Sequence, residues 1–429
     1  MTSDGLDVRG AVNAAFAELS GAASPAHLSV PGRIEVFGKH TDYAGGRSLT
    51  CATERGITVA FAPRQDGVVS LVDAADGRRE SFQLSPDLAP TVGHWSNYPM
   101  TVARRLSRNF PGLGVGADVA FKSTIPRAAG LSTSSALVTA MYLVLASVNR
   151  LSERAEYQKA ISTREALAGY LGSIENGQAF GGLPGDHGVG TFGGSEDHTA
   201  ILLSEQDRLA WYHYGPVTRL GTVELPADLT FVVGFSGVTA DKTGGARERY
   251  NRAATLVTAL VGEWRKKTGR EDATLAGAIA SGPDAVDRLR DIAATGLPLL
   301  GVEPLQQRLK HFLVEDGVLV PAAIAALQSG RLDDLGRISD ESQRAAEQLL
   351  GNQVPETSAL ARLARQHGAR AASAFGAGFG GSVWALVPIV DATRFTATWR
   401  TAYAAEHAHA ASAASFFSTR PSQGAHAAE

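Results

Sequence analysis

The chain holds one cysteine, Cys51, among 429 residues. An internal disulfide is therefore impossible, and no thiolate cluster for zinc or iron and sulfur can form. A reducing compartment fits, and a cytoplasmic protein is expected. Charge of one sign is also missing: 40 lysines and arginines stand against 43 aspartates and glutamates, a net charge of −3. No basic surface for a phosphate backbone is implied, so nucleic acid is not an expected partner. The longest apolar stretch, near Ala136 to Val148, is too short to cross a bilayer, and Met1 to Gly10 carries Asp4 and Asp7 in place of a signal peptide's apolar core. No membrane partner is expected. A fixed-period repeat is not visible. GxxxxGK[ST] is absent, which removes the P-loop NTPases, and HExxH is absent, which removes the zincins.

What is present describes a globular protein. Hydrophobic residues make up 44% and charged residues 19%, far from the composition of a disordered chain. At about 150 residues per domain, the length suggests two or three domains. The 47 glycines gather at Gly38 to Gly46, Gly177 to Gly194 and Gly376 to Gly381. Ile34 and Val36 alternate with Glu35, Ile57 to Ala62 is a short apolar run, and Ala117, Val119 and Phe121 alternate with Asp118, so the first half begins with strands. Apolar residues at helical spacing follow from Ser134 (Leu137, Ala140, Met141, Val144) and across Thr163 to Ile174. A buried strand is predicted at Leu229 to Phe235, then several helices between Arg247 and His367. Strands at Ala371 to Phe375 and Val383 to Val387, a helix over Ala392 to His407, and Phe416 to Phe417 close the pattern. The order is that of an α+β protein.

Three segments have the residue types for chemistry. In Pro31 to Gly46, PGRIEVFGKHTDYAGG, a strand runs into a polar loop where Arg33, Lys39, His40, Asp42 and Tyr43 suit a polyhydroxyl ligand; a turn with solvated charges is the alternative. In Pro126 to Ala136, PRAAGLSTSSA, glycine and small hydroxyl residues precede an apolar helix, as in an anion site at a helix N-terminus, or as in plain capping by Ser132 or Thr133. In Ala374 to Leu386, Gly376, Gly378 and Gly381 match GxGxxG, but a strand-like run follows where a dinucleotide fold needs a helix; Gly188, Gly190 and Gly193 fail in the same way. The third segment instead reads as a tight loop between strands that approaches another backbone or a phosphate. His187, His198, Asp186 and Asp197 share no register for a metal, and solvated loop positions are their default reading.

In this order the segments resemble those of the GHMP small-molecule kinases, and the first is similar to the galactokinase signature. Glu175 to His198 and the ending Phe417 to Ala425, FSTRPSQGA, extend the resemblance nearly end to end. It implies a two-domain α+β fold: an N-terminal domain of ribosomal S5 type over 1–222, a C-terminal ferredoxin-like domain over 223–429, and an active site in the cleft between them. It also implies ATP and Mg²⁺ as cofactors. Gly130, Leu131, Ser132, Thr133, Ser134 and Ser135 would wrap the ATP phosphates, with Gly378 and Gly380 beside them. Ser134 and Glu175 would hold the metal. The family's GxMD element resembles Gly194-Ser195-Glu196-Asp197, which makes Asp197 the catalytic aspartate and Arg33 its cationic partner. Lys39, His40, Asp42, Gly194 and Tyr250 would contact the sugar.

Two departures stand out. From Glu175 to Asp197 there are 22 steps, about ten more than the family pattern, and GQAFGGLPGDHGVG looks like an inserted loop. Lys39 replaces the family's glutamate, a donor-only cation for an acceptor. It would either receive a sugar with an anionic C6 substituent, such as a uronic acid, or turn aside to pair with Glu35 or Glu196. The implied activity is phosphorylation of the anomeric hydroxyl of a hexose, galactose first, with a uronic acid or arabinose as alternatives and a non-catalytic sugar sensor as the reading from another class. The sequence does not reveal the oligomeric state.

Overall fold

The computed structural model describes residues 3–21, 24–239, 244–297 and 299–428. Among them, two sheets organise the chain. The strands are β1 (Ala26–Phe37), β2 (Arg47–Arg64), β3 (Val68–Asp73), β4 (Arg79–Gln83), β5 (Gly116–Ser123), β6 (Arg208–His213) and β7 (Thr218–Glu224). They continue with β8 (Leu229–Phe235), β9 (Ala371–Ala374), β10 (Ser382–Pro388), β11 (Ser415–Thr419) and β12 (His426–Ala427). The larger sheet has eight strands in the order β12-β1-β2-β5-β3-β4, with β6 joining one end of β2 and β7 joining β6. Only the β3–β5 pair in it is parallel. The smaller sheet is antiparallel in the order β11-β8-β10-β9. Taken in chain order that is 4-1-3-2, the split βαβ arrangement expected for the C-terminal half.

The predicted elements are found, with two corrections. Ile57 to Ala62 is not a strand of its own but the second half of the long β2, whose register with β1 runs from Ala26↔Phe61 to Phe37↔Leu49. The division at 222 falls inside β7, and β12 returns from the C-terminus to pair with β1. The halves are therefore not separable at one point in the chain.

Their contact is hydrophobic. Ile34, Val36, Phe37, Leu49 and Cys51 of the larger sheet form one cluster with Phe231, Val233, Trp384, Leu386 and Phe417 of the smaller. The Trp384 ring meets Phe37 at 6.0 Å and Phe231 at 5.8 Å between centroids. Burial of such side chains stabilises by roughly 1.5–3 kcal/mol each, so the site above this cluster rests on a rigid seat. Burial also pushes the Cys51 thiol up, away from the reactive thiolate. The alternation in β1 puts Ile34 and Val36 into this core and leaves Arg33 and Glu35 on the opposite face.

The helical run Val302–Gln328 is long and apolar enough to cross a membrane by length and composition, although half of its most apolar window is buried inside the protein. It carries Arg308, His311 and Glu315 at i, i+3 and i+7, all buried. That polar line faces the first sequence segment, as the contacts below show.

Candidate active site

The centre of the site is an ion pair. Arg33 Nε and Nη2 lie 2.7 Å from Asp197 Oδ1, and Nη1 donates to the Gly130 carbonyl at 2.6 Å. Burial opposes the arginine's charge, but the carboxylates of Asp197, Glu35 and Glu196 outweigh it and hold the guanidinium above its ordinary pKa. One side chain thus ties together β1, the 126–135 loop and the first turn of the helix Glu196–Leu203.

The side expected to receive phosphate is built by local backbone. Gly130 has φ +78°, and Ser132, at φ +59°, occupies the left-handed region just before the helix Thr133–Val148. Non-glycine residues rarely take that conformation, and such strain collects at ligand sites. The loop opens onto a cavity of about 290 Å³ lined by Ser132, Thr133, Ser134, Arg78, Trp95 and Arg127. The Arg78 guanidinium lies 5.4 Å from the Trp95 ring centroid. Leu131 is buried in the core cluster shared by the sheets and meets the ligand side only through backbone.

The serines divide differently from the expectation. Ser135 Oγ lies 2.8 Å from Glu175 Oε2 and 3.2 Å from Asp197 Oδ2. Ser134 lies on the wall of the larger cavity and not at this junction. The expected pairing of Ser134 with Glu175 is corrected to Ser135, because successive helical residues point about 100° apart and only one of them can face the acids. Glu175 Oε2 also meets His198 Nε2 at 3.0 Å, and His198 Nδ1 contacts Thr139 Oγ1 at 3.2 Å. His198, read as a solvated loop residue, is buried.

At the two glycines assigned to the nucleotide the backbone is tightly packed. A Cβ on Gly378 would stand 2.3 Å from the Asn352 carbonyl, and one on Gly380 would stand 2.6 Å from that of Val238. They serve close packing of backbone, whereas Gly376 and Ala377 line the reactive cavity.

The groups expected at the sugar come together from distant, buried positions. His40, Asp42, Gly194 and Tyr250 all line one small cavity with Arg33, Asp197, Ser135 and Glu175. His40, at φ +56°, meets the Tyr43 hydroxyl at 2.9 Å through Nδ1. Asp42 Oδ2 accepts from the Glu196 N–H at 3.2 Å, yet burial outweighs this and raises its pKa. Burial likewise drives Tyr250 well above the ordinary phenol value.

Lys39 does not line this cavity. Its Nζ donates to Ser342 Oγ at 2.6 Å, inside the C-terminal half, and Ser342 lies 3.0 and 2.9 Å from the two oxygens of Glu315. Glu315 also accepts the backbone N–H groups of Gly38 and Lys39. Arg308 Nη2 donates to the His40 carbonyl at 2.6 Å and approaches the Tyr43 hydroxyl at 3.3 Å. The lysine has turned aside, to Ser342 and the Glu315 network in place of Glu35 or Glu196.

Sequence reasoning missed Glu35 and Glu196 as cavity residues and Arg308 and Glu315 as supports. The strand period, which puts Glu35 on the face of Arg33, and the polar line inside an apolar helix were the available signals. The inserted loop is anchored: Asp186 takes Arg104 Nε at 2.6 Å and Arg108 Nη1 at 2.9 Å, and Phe180 packs on Tyr170. Asp186 is thus an ion-pair anchor and not a solvated charge.

Three family models match the chain: the galactokinase galactose-binding signature over residues 14–63, the GHMP kinase N-terminal domain over 97–194 and the GHMP kinase C-terminal domain over 323–410. Among solved structures, Lactococcus lactis galactokinase complexed with galactose is 23% identical with a TM-score of 0.79, covering 97% of this chain and 99% of that one. Methanococcus jannaschii mevalonate kinase is 12% identical with a TM-score of 0.54, covering 93% and 99%. Homoserine kinase from Cytophaga hutchinsonii is 13% identical with a TM-score of 0.53, covering 95% and 99%. With the galactose-binding signature at one end and both kinase domains behind it, the chain belongs to the GHMP kinases, phosphotransferases that use ATP and an alcohol acceptor, as a galactokinase-like sugar kinase.

Proposed function

We propose that the protein transfers the γ-phosphoryl group of ATP to the anomeric hydroxyl of a neutral hexose, galactose being the first candidate. The observation that carries the reading is the junction at Asp197: one carboxylate oxygen is held by Arg33 at 2.7 Å, and the other stands 3.2 Å from Ser135. A phosphate-facing helix start and a hydroxyl-binding cavity meet at that carboxylate. The galactose-binding signature, and the galactose in the L. lactis complex, support the choice of sugar.

Phosphoryl transfer asks a protein for alignment and charge compensation more than for covalent chemistry. Here the N-terminus of Thr133–Val148 and the 130–134 backbone would hold the phosphates. Asp197 would take the hydrogen bond, and then the proton, of the anomeric hydroxyl, while Arg33 balances its charge beside the transferring group. Ser135, Glu175 and Asp197 form an all-oxygen set, which fits a hard divalent cation such as Mg²⁺. When bound there, Mg²⁺ would neutralise phosphate charge.

The uronic-acid alternative has lost its basis, since Lys39 is buried against Ser342 and carboxyl groups line the cavity. A coupled ADP-release assay across galactose, arabinose, glucuronate and galacturonate tests the reading, with Asp197→Asn as the control. Turnover of galactose that falls about 1,000-fold in the variant, with sugar binding kept within a few fold, is the expected result. Tight ATP-dependent sugar binding without ADP release would make the protein a sensor and overturn the kinase reading.

A further inference from the structure

Outside the cleft, two histidines and a glutamate meet where the start of one helix in the C-terminal half reaches the end of another. His407 follows the helix Ala392–Glu406, and a short helical turn, Ala408–Ala411, comes after it. In an unbroken helix, residues two apart point about 200° away from each other. His407 interrupts the helix with φ −128° and ψ 53°, and its ring stands 5.8 Å from that of His409 between centroids. Glu356 comes from the first turn of the helix Pro355–Gln366, and its Oε1 lies 2.9 Å from His409 Nε2. One donor atom from each of the three residues lies within 4.8 Å of the other two.

The set is held from behind. The Tyr403 ring stacks on His407 at 5.2 Å and 17°, and Tyr403 is itself buried, with its hydroxyl donating to the Ser236 carbonyl at 2.5 Å. The Glu356 side chain is 14% exposed and that of His409 68%, so a cation reaches the group from solvent while the carboxylate is partly shielded. The arginines of the helix Pro355–Gln366 do not oppose it, since Arg362 is paired with Glu406 and Arg365 with Asp340. Two imidazoles and one carboxylate suit Zn²⁺, whereas Mg²⁺ and Ca²⁺ prefer oxygen alone. A tetrahedral ion at about 2.0–2.1 Å from its ligands holds them about 3.3 Å apart. The Glu356–His409 contact is already near that separation, and the widest gap in the set exceeds it by about 1.5 Å at most, within reach of a side-chain rotation.

We propose that Glu356, His407 and His409 form a Zn²⁺ site, with water in the fourth position, that clamps the start of the helix Pro355–Gln366 to the end of the helix Ala392–Glu406. None of the three lines the sugar cavity or the cavity beside the 126–135 loop. The site is therefore separate from the oxygen set of Ser135, Glu175 and Asp197, and it stands whether or not the kinase reading does. Zn²⁺ takes the place of the proton between His409 and Glu356, which leaves to solvent. The clamped corner packs on the chain just beyond β8, where a Cβ on Gly237 would stand 2.2 Å from the Ala410 carbonyl. A metal here fixes one rim of the smaller sheet.

The experiment titrates Zn²⁺ calorimetrically into the full chain, free of any histidine tag and in excess Mg²⁺ to fill the oxygen set. The wild type is compared with Glu356→Gln, with His409→Ala and with the double variant His407→Ala/His409→Ala, and melting temperatures are read with and without Zn²⁺. The wild type should bind one Zn²⁺ more than the double variant. Glu356→Gln keeps the size of the side chain, and it and His409→Ala should each weaken that binding by at least about tenfold. Zn²⁺ should raise the melting temperature of the wild type and not that of the double variant. Without metal all four proteins should melt within a few degrees of one another, which shows that the variants fold. Equal numbers of bound Zn²⁺ in the wild type and the double variant overturn the site. Single variants that bind as tightly as the wild type, within about twofold, do the same. Zn²⁺ that binds at these residues without raising the melting temperature overturns the clamp.

Discussion

The two sides of the cleft are made in different ways. The phosphate side is a short run of chain, 126–135, whose backbone turns through left-handed positions at Gly130 and Ser132 and feeds a helix. In the proposed function it would bind through N–H groups that any small residues would leave exposed. The sugar side has no such simplicity: Arg33, Glu35, Asp42, Glu175, Glu196 and Asp197 are charged side chains from separate segments, packed where water is scarce. Asp197 is answered there by Arg33, and the loop that carries His40 and Asp42 is held from the other half of the protein by Glu315 and Arg308. The phosphate side should therefore tolerate single changes in its wall, while the sugar side should fail in both stability and selectivity.

Glu315→Ala should give the largest effect. Glu315 is fully buried and receives Gly38 N–H, Lys39 N–H and the Ser342 hydroxyl, and its loss leaves these buried donors without their acceptor. A destabilisation of about 3–5 kcal/mol is expected, read from denaturant unfolding, together with a rise in KM for sugar that KM for ATP does not share. A variant as stable as the wild type would show that the loop does not depend on the helix below it.

Ser135→Ala comes next and sets one serine against its neighbour. Removal of the hydroxyl between Glu175 and Asp197 should lower kcat about 100-fold and raise the Mg²⁺ needed for half-maximal rate, whereas Ser134→Ala should stay within about threefold. The reverse order would return the metal-binding role to Ser134.

Stability against pH tests the buried Glu35 carboxyl without any ligand. Glu35 has its folded-state pKa raised from 4.5 to about 7 by burial, against Arg33 and Lys39. Between those values it binds a proton in the folded state that it releases when unfolded. Raising the pH from 4.5 through 7 therefore removes stability, by about 3 kcal/mol at most. Glu35→Gln should flatten that part of the profile, seen in melting temperatures at pH 5, 6, 7 and 8. A profile unchanged by the substitution would mean that Glu35 is ionised throughout.

The same contrast explains what the sequence could reveal. Strand alternation, the helix starting at Thr133 and the glycine loops are local patterns, and they locate both sheets and the phosphate loop. Arg33, His40, Asp42, Asp197 and Tyr250 converge on one cavity as expected, from β1, the loop after it and two helices. The misplacements are of two kinds. Ser134 in place of Ser135 is a rotation of one helical residue, finer than a motif specifies. Lys39 is expected in the cavity because nothing local tells that its partners are Ser342 and Glu315, some 300 positions away in the chain. Gly378 shows the same limit. Its φ of +79° favours glycine, and the Asn352 carbonyl, 26 positions away in the chain, is what leaves no room for a side chain.

Gly194→Ala should have the smallest effect of the changes in the sugar wall, and the most selective. A Cβ at this position would lie 2.4 Å from Asp42 Oδ2 and 2.8 Å from the Tyr43 nitrogen, closer than real contacts allow. The backbone there cannot retreat far, since the neighbouring Glu196 N–H is already bonded to the same Asp42 oxygen at 3.2 Å. Asp42 must then move within a cavity that has little room. A displacement of that size costs about tenfold in sugar affinity, or about 1.4 kcal/mol. Gly194 lines the small cavity and not the one beside the 126–135 loop, so KM for ATP should stay within about twofold. A variant that weakens ATP and sugar alike would show that the two sides of the cleft are one mechanical unit, and the contrast between them would fail.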